Sequence, residues 1–256
     1  MATALAKGLI RTGVCRVPDI TASDVSPEQL EHFEKATRTN VCESNADVVQ
    51  QSDVVILAVK PNHVSEVLES IREVFHAQLL ISIAAGVTLV KLEGGLPSGS
   101  RVVRVMPNTP ALVGCGAAAF ALGGSAGPKD AHVAETILNA VGISFHVPES
   151  QLDAVTGLSG SGPAYIYHVI DALAMAGAEL GIDEKMALQL AAQTVQGAAR
   201  MVLETGKSPQ ELIDMVTSPG GTTVEGMAVL IEKEIHTGLI AAVKAAARKS
   251  AELGRK

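Results

Sequence analysis

Aromatic residues and charge are both scarce in this 256-residue sequence, and each scarcity excludes a class of function. Tryptophan is absent, and two tyrosines and four phenylalanines are the only large aromatic side chains, too few for the stacking platforms that bind single-stranded nucleic acid. Charged residues make up 18% of the chain and the formal net charge is -7. The basic surface that nucleic-acid binding requires is therefore missing, and we expect no nucleic-acid partner.

Long apolar runs and cysteines are also scarce. No apolar stretch approaches the roughly 20 residues that span a membrane, and no signal peptide opens the chain, so we expect no membrane partner. Cys15, Cys42 and Cys115 lack metal-ligand spacing and the seven histidines are scattered, which argues against a metal site. We interpret the cysteines as reduced thiols of a cytoplasmic protein.

Apolar residues are nevertheless abundant, at 47% of the chain. They suffice for the core of one large domain or of two modest ones. Because so little of the chain is charged, we expect a homodimer or higher homo-oligomer to cover part of its surface.

In residues 1–147, short β-rich apolar runs alternate with helical stretches. This pattern is typical of parallel strands covered on both faces, and it predicts an α/β fold with a Rossmann-like dinucleotide-binding domain. Ligands bind at the carboxyl ends of such strands, where breakers stand. The runs are 54–59, 79–85, 102–106, 117–122 and a weaker one at 20–23, and the breakers are Lys60-Pro61, Gly86, Pro107-Asn108 and Gly123-Gly124.

Residues 148–256 contain Ala-rich helical segments and no clear strand. The segment 163–180 is apolar almost all round, which predicts a helix buried on every side. Asp183 is a candidate N-cap, and Ser208 to Glu211 forms a capping box. We predict an all-α dimerisation domain, whose excess apolar helix surface forms the dimer interface.

The expected beginning of a dinucleotide-binding domain is missing. Such a domain starts with a strand and a glycine turn, G-x-G-x-x-G or G-x-G-x-x-A, before its first helix. Here a helical segment, 1–10, opens the chain. An ordinary first helix that never followed a strand is one explanation; the order of the later strands favours a truncated sequence or a shortened isoform. Loss of the strand would leave two sheet edges unpaired and remove amides that bind pyrophosphate.

Candidate cofactor residues follow the predicted strands. Lys60 could face phosphate or nicotinamide, although a lysine after a strand is more often a solvated charge. Asp24 fits the acid that holds the ribose hydroxyls of NAD. Ser23 and Ser26 could instead bind a phosphate, and the same Ser-Asp-x-Ser-Pro segment would also cap a helix.

A second candidate site is the segment Ser218-Pro219-Gly220-Gly221-Thr222-Thr223, which opens a helix. Thr222 and Glu225 have capping-box spacing. Backbone N–H groups at a helix start bind anions, so a substrate carboxylate would fit there, with a threonine hydroxyl beside a neighbouring nitrogen. A tight interhelical turn explains the segment equally well.

Four motifs, in this order and at this spacing, resemble the pyrroline-5-carboxylate reductase family over essentially the whole chain. The resemblance implies reduction of 1-pyrroline-5-carboxylate to L-proline with NADPH or NADH, the last step of proline biosynthesis. It implies an NAD(P)-binding domain at 1–147 and a helical dimerisation and substrate domain at 148–256 that interlocks with a second subunit. The motifs are 58–61 (AVKP), 84–87 (AAGV), 156–165 (TGLSGSGPAY) and 214–223 (DMVTSPGGTT), of which the last two are highly specific.

The resemblance also implies roles for individual residues. Thr223 would be catalytic, offering a hydrogen bond to the imine nitrogen, and no metal would be needed. The remaining positions form two groups. The implied cofactor contacts are Ser23, Asp24, Asn45, Ala58, Lys60, Pro61, Ala84 and Gly86, and the implied substrate contacts are Glu149, Gly221, Thr222 and Thr223.

Two other interpretations stay open. One is a different NAD(P)-dependent reductase, such as a hydroxyacid dehydrogenase, but no lysine stands beside a Gly-rich junction of the second domain to serve as its catalytic group. The other is a non-catalytic, truncated isoform that acts as an oligomerisation partner. The sequence does not decide between NADH and NADPH.

Overall fold

The computed structural model describes residues 1–254 and divides them into two compact units. The first comprises residues 1–161 and the end of the last helix, from residue 244; the second comprises residues 162–243. The two units are defined by how the chain packs and not by what each part binds. The functional boundary that we predict at 147/148 therefore stays a prediction.

The first unit is the α/β part of the chain. Its helices and strands alternate through most of its length, joined by short loops and 3₁₀ turns. In chain order they are α1 Ala2–Arg11, β1 Thr21–Ala22, α2 Pro27–Thr37, β2 Asn40–Val41, α3 Asn45–Gln50, β3 Val54–Leu57, α4 Val64–Ile71, β4 Leu79–Ser82, α5 Leu89–Gly94, β5 Arg101–Met106, β6 Gly116–Leu122, α6 Pro128–Asn139, β7 Gly142–His146 and α7 Leu152–Val155.

The strands of the described residues form two sheets. β1 pairs in parallel with β2, and a separate five-stranded sheet has the order β3-β4-β5-β6-β7. β3, β4 and β5 run parallel, β6 is antiparallel to β5, and β7 is parallel to β6. The predicted Rossmann-like α/β fold is confirmed.

The reversal of β6 corrects one sequence-based expectation. We predicted that Gly123-Gly124 ends a strand at the ligand edge. Because β6 runs against β5, its carboxyl end lies at the opposite edge of the sheet from the carboxyl ends of β3, β4 and β5. Gly123 and Gly124 are therefore away from the loops that follow these three strands.

Several strands are shorter than the apolar runs that predicted them. β3 ends at Leu57 and β4 at Ser82, so Ala58 and Ala84 lie in loops. β4 is buried along its whole length, as expected for a strand covered on both faces. The sequence did not predict two of the strands, β2 and β7. β2 has only two residues, and β7 is an edge strand in which most positions are exposed.

The core of the first unit lies on both faces of the five-stranded sheet. One cluster joins Leu80 and Val102 to Leu68 of α4 and Leu92 of α5. The other joins Ile81 and Val103 to α1 and α6, through residues that include Leu5, Leu9, Ile137 and Leu138. Helix α1 therefore packs on the sheet through the apolar positions that predicted it.

The second unit is helical. Its helices begin at strong caps: the Asp183 carboxylate accepts from Met186 N at 3.0 Å, and Ser208 and Glu211 form the predicted capping box. No helix among residues 1–254 is long and apolar enough to cross a membrane. The helices are α8 Gly162–Glu179, α9 Glu184–Thr205, α10 Pro209–Val216, α11 Thr222–Glu232 and α12 Ile235–Gly254, the last of which continues into the first unit.

Helix α8 corrects a second expectation. We predicted that it is buried on every side, but none of its residues is buried in the single chain. Within residues 162–243, only Ala187 and Ala191 are buried. The second unit therefore exposes most of its apolar surface and has almost no core of its own.

The close approach of Gly142 to Gly116 gives a stability prediction. A Cβ on Gly142 would lie 2.0 Å from the Gly116 carbonyl oxygen, so we expect Gly142→Ala to lower the free energy of unfolding by about 3 kcal/mol. Urea denaturation at fixed protein concentration measures the change. Gly94→Ala, where a Cβ meets nothing within 4 Å, is the control and should shift stability by less than about 0.5 kcal/mol. Equal effects of the two substitutions would contradict the steric argument.

Candidate functional site

Two loops with implied cofactor contacts emerge at one edge of the five-stranded sheet. Ala58, Lys60 and Pro61 follow β3, and all three are exposed. Ala84 and Gly86 follow β4, the parallel neighbour of β3. Parallel strands present their carboxyl ends at the same edge, so these two groups belong to one ligand-facing edge.

Gly86 has a backbone conformation that favours glycine. Its φ is +76°, in the left-handed region. A Cβ there would lie 3.8 Å from the Leu253 Cβ of α12. Conformation, and not lack of space, is therefore the reason for glycine here.

Ser23 and Asn45 are brought together although 22 residues separate them. Ser23 Oγ donates to Asn45 Oδ1 at 2.8 Å, and Asn45 Nδ2 donates to Ser70 Oγ at 3.4 Å. The chain of hydrogen bonds links the end of β1, the start of α3 and the last turn of α4. Ser70 was not identified from the sequence.

Asp24 lies in a helix-capping turn. Its Oδ1 accepts from the backbone N–H of Ser26 at 2.8 Å, and Ser26 is the N-cap of α2, accepting from Gln29 N at 3.4 Å. The capping alternative is therefore confirmed for this segment. Asp24 remains exposed, so a ligand contact through its second oxygen is compatible with the turn.

Glu149 forms an ion pair inside the first unit. Its Oε1 accepts from Arg104 Nη1 at 2.8 Å and from Leu89 N at 2.7 Å. The Arg104 side chain, on the central strand β5, is 9% exposed, and that of Glu149 is 31% exposed. A cation this buried needs an anionic partner, so Glu149 has a structural role whatever ligand it meets.

A π-helical turn, Thr156–Gly160, follows α7 in the motif 156–165. Ser161 N donates to Thr156 O at 2.8 Å, the i→i+5 bond that defines the turn. Asn108 fixes it from the loop after β5: Nδ2 donates to Ser159 O at 3.1 Å while Oδ1 accepts from Ala117 N at 2.9 Å. π-turns inside helices occur frequently at functional sites.

The implied substrate residues Gly221, Thr222 and Thr223 lie in the second unit. Gly221 is the N-cap of α11, without a side-chain cap, so the expected Thr222–Glu225 capping box is wrong. The backbone amides and hydroxyls of Thr222 and Thr223 make no hydrogen bond within residues 1–254. Two donors and two hydroxyls are therefore available at the start of an 11-residue helix.

Glycine is required within this turn for steric and conformational reasons. Gly220 has φ +72°, and a Cβ on Gly221 would lie 2.6 Å from Ser218 Oγ. Gly221 N donates to Ser218 O at 2.9 Å, which closes the turn and directs the chain into α11. The two glycines thus shape the opening of the helix.

Arg104 is the main residue that the sequence reasoning missed. It interrupts the apolar run VVRVM, and a charge inside a predicted central strand was the available signal. A glycine spacing like that of a dinucleotide fold does occur in the chain, but not before a helix. The spacing G-x-G-x-x-A occurs at 114–119, but it leads into strand β6 and opens no helix.

No cluster of three or more His, Cys, Asp or Glu side chains within 1–254 is placed to hold a metal ion.

Comparison with known proteins gives matches along the whole chain. Residues 149–253 match the family model described as pyrroline-5-carboxylate reductase dimerisation. Residues 1–86 match the model described as NADP oxidoreductase coenzyme F420-dependent. A pyrroline-5-carboxylate reductase of Methanosarcina acetivorans is 49% identical over 257 aligned residues, covering 100% of this chain and 95% of the relative.

Two solved structures are also similar over nearly their full lengths. A pyrroline-5-carboxylate reductase from Coxiella burnetii is 37% identical, with a TM-score of 0.93 over 100% of this chain and 95% of that one. The Plasmodium falciparum pyrroline carboxylate reductase, solved with NADP bound, is 32% identical, with a TM-score of 0.88 over 98% and 94%.

The double hydrogen bond of Asn108 gives a second prediction. Asn108→Asp keeps the acceptor for Ala117 N but places a carboxylate oxygen against the Ser159 carbonyl. Since Asn108 is buried, we expect the free energy of unfolding to fall by about 1–3 kcal/mol, measured by urea denaturation. Asn139→Asp is the matched control, because Asn139 is exposed and only its Oδ1 is used, by Ser144. A stability of Asn108→Asp equal to wild type would refute the role of Asn108.

Proposed function

This chain belongs to the pyrroline-5-carboxylate reductase family, and we propose that it is an oxidoreductase that reduces 1-pyrroline-5-carboxylate to L-proline with NAD(P)H. The observation that carries the proposal is the 49% identity to a reductase of this name over the whole chain. The reaction is the final step of proline biosynthesis, since its product is the amino acid itself.

The loops at the carboxyl edge of the sheet fit a nicotinamide dinucleotide. Ala58 and Gly86 have no bulky side chain to obstruct a flat ring, whereas Ala84 is buried, and Lys60 is an exposed cation suited to a phosphate. The family model matched by residues 1–86 and the NADP-bound relative support this cofactor. We assign Ser23, Asp24, Asn45, Ala58, Lys60, Pro61, Ala84 and Gly86 to cofactor binding.

When bound, the reduced nicotinamide supplies the hydride, which goes to the imine carbon while the ring nitrogen becomes the amine of proline. The chain's own contribution is to hold the substrate and exclude water. We assign the substrate carboxylate to the amides of Thr222 and Thr223, where the helix dipole of α11 favours an anion. No strong general acid is needed if the imine arrives protonated.

Thr223 has the further role of orienting the ring nitrogen. Its hydroxyl makes no bond within residues 1–254 and can accept a hydrogen bond from a protonated imine. Gly221 contributes by leaving room beside Ser218, and Glu149 is the fourth substrate residue that the resemblance implies. The assigned catalytic residue is Thr223.

A homodimer is part of the proposal. The second unit buries only Ala187 and Ala191 by itself, while side chains such as Leu180, Leu203 and Ile231 are 85%, 75% and 71% exposed. Exposed apolar surface on this scale marks an interaction site, and the matched dimerisation model covers these helices. We extend the proposal to a cytoplasmic location, because all three cysteines are unpaired thiols.

Turnover with both cofactors is the first test of the proposed function. NADPH and NADH are titrated against the purified chain by fluorescence, and proline formation from 1-pyrroline-5-carboxylate is then measured. Saturable binding and proline production are expected, and the two titrations give the cofactor preference. A folded protein that binds neither nucleotide would contradict the proposed function.

Thr223→Val tests the assigned catalytic residue. Valine keeps the shape of threonine but lacks the hydroxyl, so we expect kcat/KM for 1-pyrroline-5-carboxylate to fall about tenfold to a hundredfold, with unchanged cofactor binding. Thr194→Val is the control, since the Thr194 hydroxyl bonds only Leu190 O within α9. A Thr223→Val enzyme with normal kcat/KM would remove Thr223 from the mechanism.

The oligomeric state gives the fourth prediction. Leu203→Glu and Ile231→Glu place a charge on the exposed apolar surface of α9 and α11, so we expect a shift from dimer or larger assembly toward monomer. Sedimentation velocity across protein concentrations measures it. The control is Val25→Glu, at a 91% exposed position of the first unit, which should leave the assembly intact. Assemblies that survive both helical substitutions would place the interface elsewhere.

A further inference from the structure

The loop 83–88, between β4 and α5, carries two of the assigned cofactor residues, Ala84 and Gly86. Its first part is held by the sheet: Ile83 N donates to Leu57 O at 3.1 Å, and Ala84 N donates to Ser82 Oγ at 3.4 Å. Ser82 is the register partner of Arg104 on β5. The beginning of the loop therefore lies next to the buried arginine.

The end of loop 83–88 is held by the carboxylate that pairs with the same arginine. Leu89, the first residue of α5, donates its backbone N–H to Glu149 Oε1 at 2.7 Å. Arg104 Nη1 donates to this same oxygen at 2.8 Å. One carboxylate oxygen thus joins the interior of the sheet to the end of the loop.

Arg104 and Glu149 also balance each other's charge. Arg104 is on the central strand with a side chain 9% exposed, so its charge requires an anion in place. Glu149 receives a cation and a helix-start amide on Oε1, while Oε2 accepts no hydrogen bond from residues 1–254. Its orientation is therefore determined by Arg104 and Leu89.

We propose that Arg104, acting through Glu149, is a positioning residue for the cofactor: the pair fixes loop 83–88 so that the backbone at Ala84 and Gly86 is preorganised for the nicotinamide cofactor. This inference rests on the proposed function, which makes Ala84 and Gly86 cofactor contacts. It gives Glu149 a positioning role in place of the substrate contact that the family resemblance implies.

Cofactor affinity measured without turnover is the central test. NADPH fluorescence titrations of Arg104→Met and Glu149→Ala should each give a Kd about tenfold above wild type, the effect of one charge-assisted hydrogen bond. In steady-state kinetics, KM for NADPH should rise in parallel while KM for 1-pyrroline-5-carboxylate stays within about twofold. A rise confined to KM for 1-pyrroline-5-carboxylate would assign Glu149 to the substrate and overturn the proposal.

Three further variants guard against misfolding and test whether the two residues act together. Arg104→Lys keeps a cation and Glu149→Gln keeps an acceptor for Leu89 N, so each should raise the Kd by no more than about threefold. The double variant Arg104→Met/Glu149→Met leaves no buried charge unpaired and should match Arg104→Met within about twofold. Additive losses in the double variant would show that the residues act independently, against the proposal.

Glu93→Ala is the matched control, on helix α5, which Leu89 begins. Glu93 Oε1 accepts from Gly124 N at 2.6 Å, so the substitution also removes a carboxylate that holds a backbone amide, but away from loop 83–88. Its Kd for NADPH should stay within about twofold of wild type. An equal loss of NADPH affinity in Glu93→Ala and Glu149→Ala would show that the effect is general destabilisation.

Hydrogen exchange of the cofactor-free protein separates this inference from the proposed function. In Glu149→Ala and Arg104→Met, the Leu89 amide should exchange at least about tenfold faster than in wild type, a result that needs no nucleotide. If wild type binds NADPH but forms no proline, the proposed reaction fails while the affinity and exchange results still decide the positioning role. If wild type binds neither nucleotide, the positioning role is overturned. Faster exchange of the Leu89 amide in the two variants would then show that the Arg104–Glu149 pair has a purely structural role.

Discussion

Parallel pairing of β3, β4 and β5 is the constraint on which the first unit depends. Each ladder places residues of one strand opposite those of the next, as at Leu57 and Ser82 or Ser82 and Arg104. Because the strands share one direction, the loops after β3 and β4 must emerge at the same edge. Apolar burial on both faces holds the strands in this register, since a slip of one residue would turn every side chain to the other face.

Arg104 is the exception to that apolar register. It occupies a core-facing position on the central strand, and its guanidinium would be strongly unfavourable there without a carboxylate. The partner, Glu149, comes from the 3₁₀ turn after β7, 45 residues further along the chain. An ion pair in this place adds little net stability over apolar residues of similar size. What its contacts do is tie the turn at 149–151 and the start of α5 to one position on the sheet.

Local chemistry in the sequence predicted local structure well, and nonlocal contacts poorly. Asp183 and Ser208 cap their helices as expected, because each needs only an amide three residues away. Thr222 does not, since the turn formed by Gly220 makes Gly221 the N-cap, and glycine is nearly as good there as threonine. The direction of β6 had a signal: its link to β5, 107–115, is shorter than the roughly dozen residues that a parallel crossover needs. The motifs that carry the candidate site could be recognised in the sequence, but the Arg104–Glu149 pair required the fold.

The exposure of α8 shows what an apolar sequence pattern measures. The pattern predicted a helix buried all round, and in the single chain none of its residues is buried. Yet the apolar residues at 173, 175 and 180 are unfavourable in water. The second unit buries only Ala187 and Ala191, so it has no core that could cover them. A pattern of this kind therefore reports the burial that the proposed homodimer would provide, and the single chain shows the surface that a partner subunit would cover. Since α11 with Thr222 and Thr223 belongs to the same unit, which has almost no core of its own, the proposed homodimer would also stabilise the start of this helix.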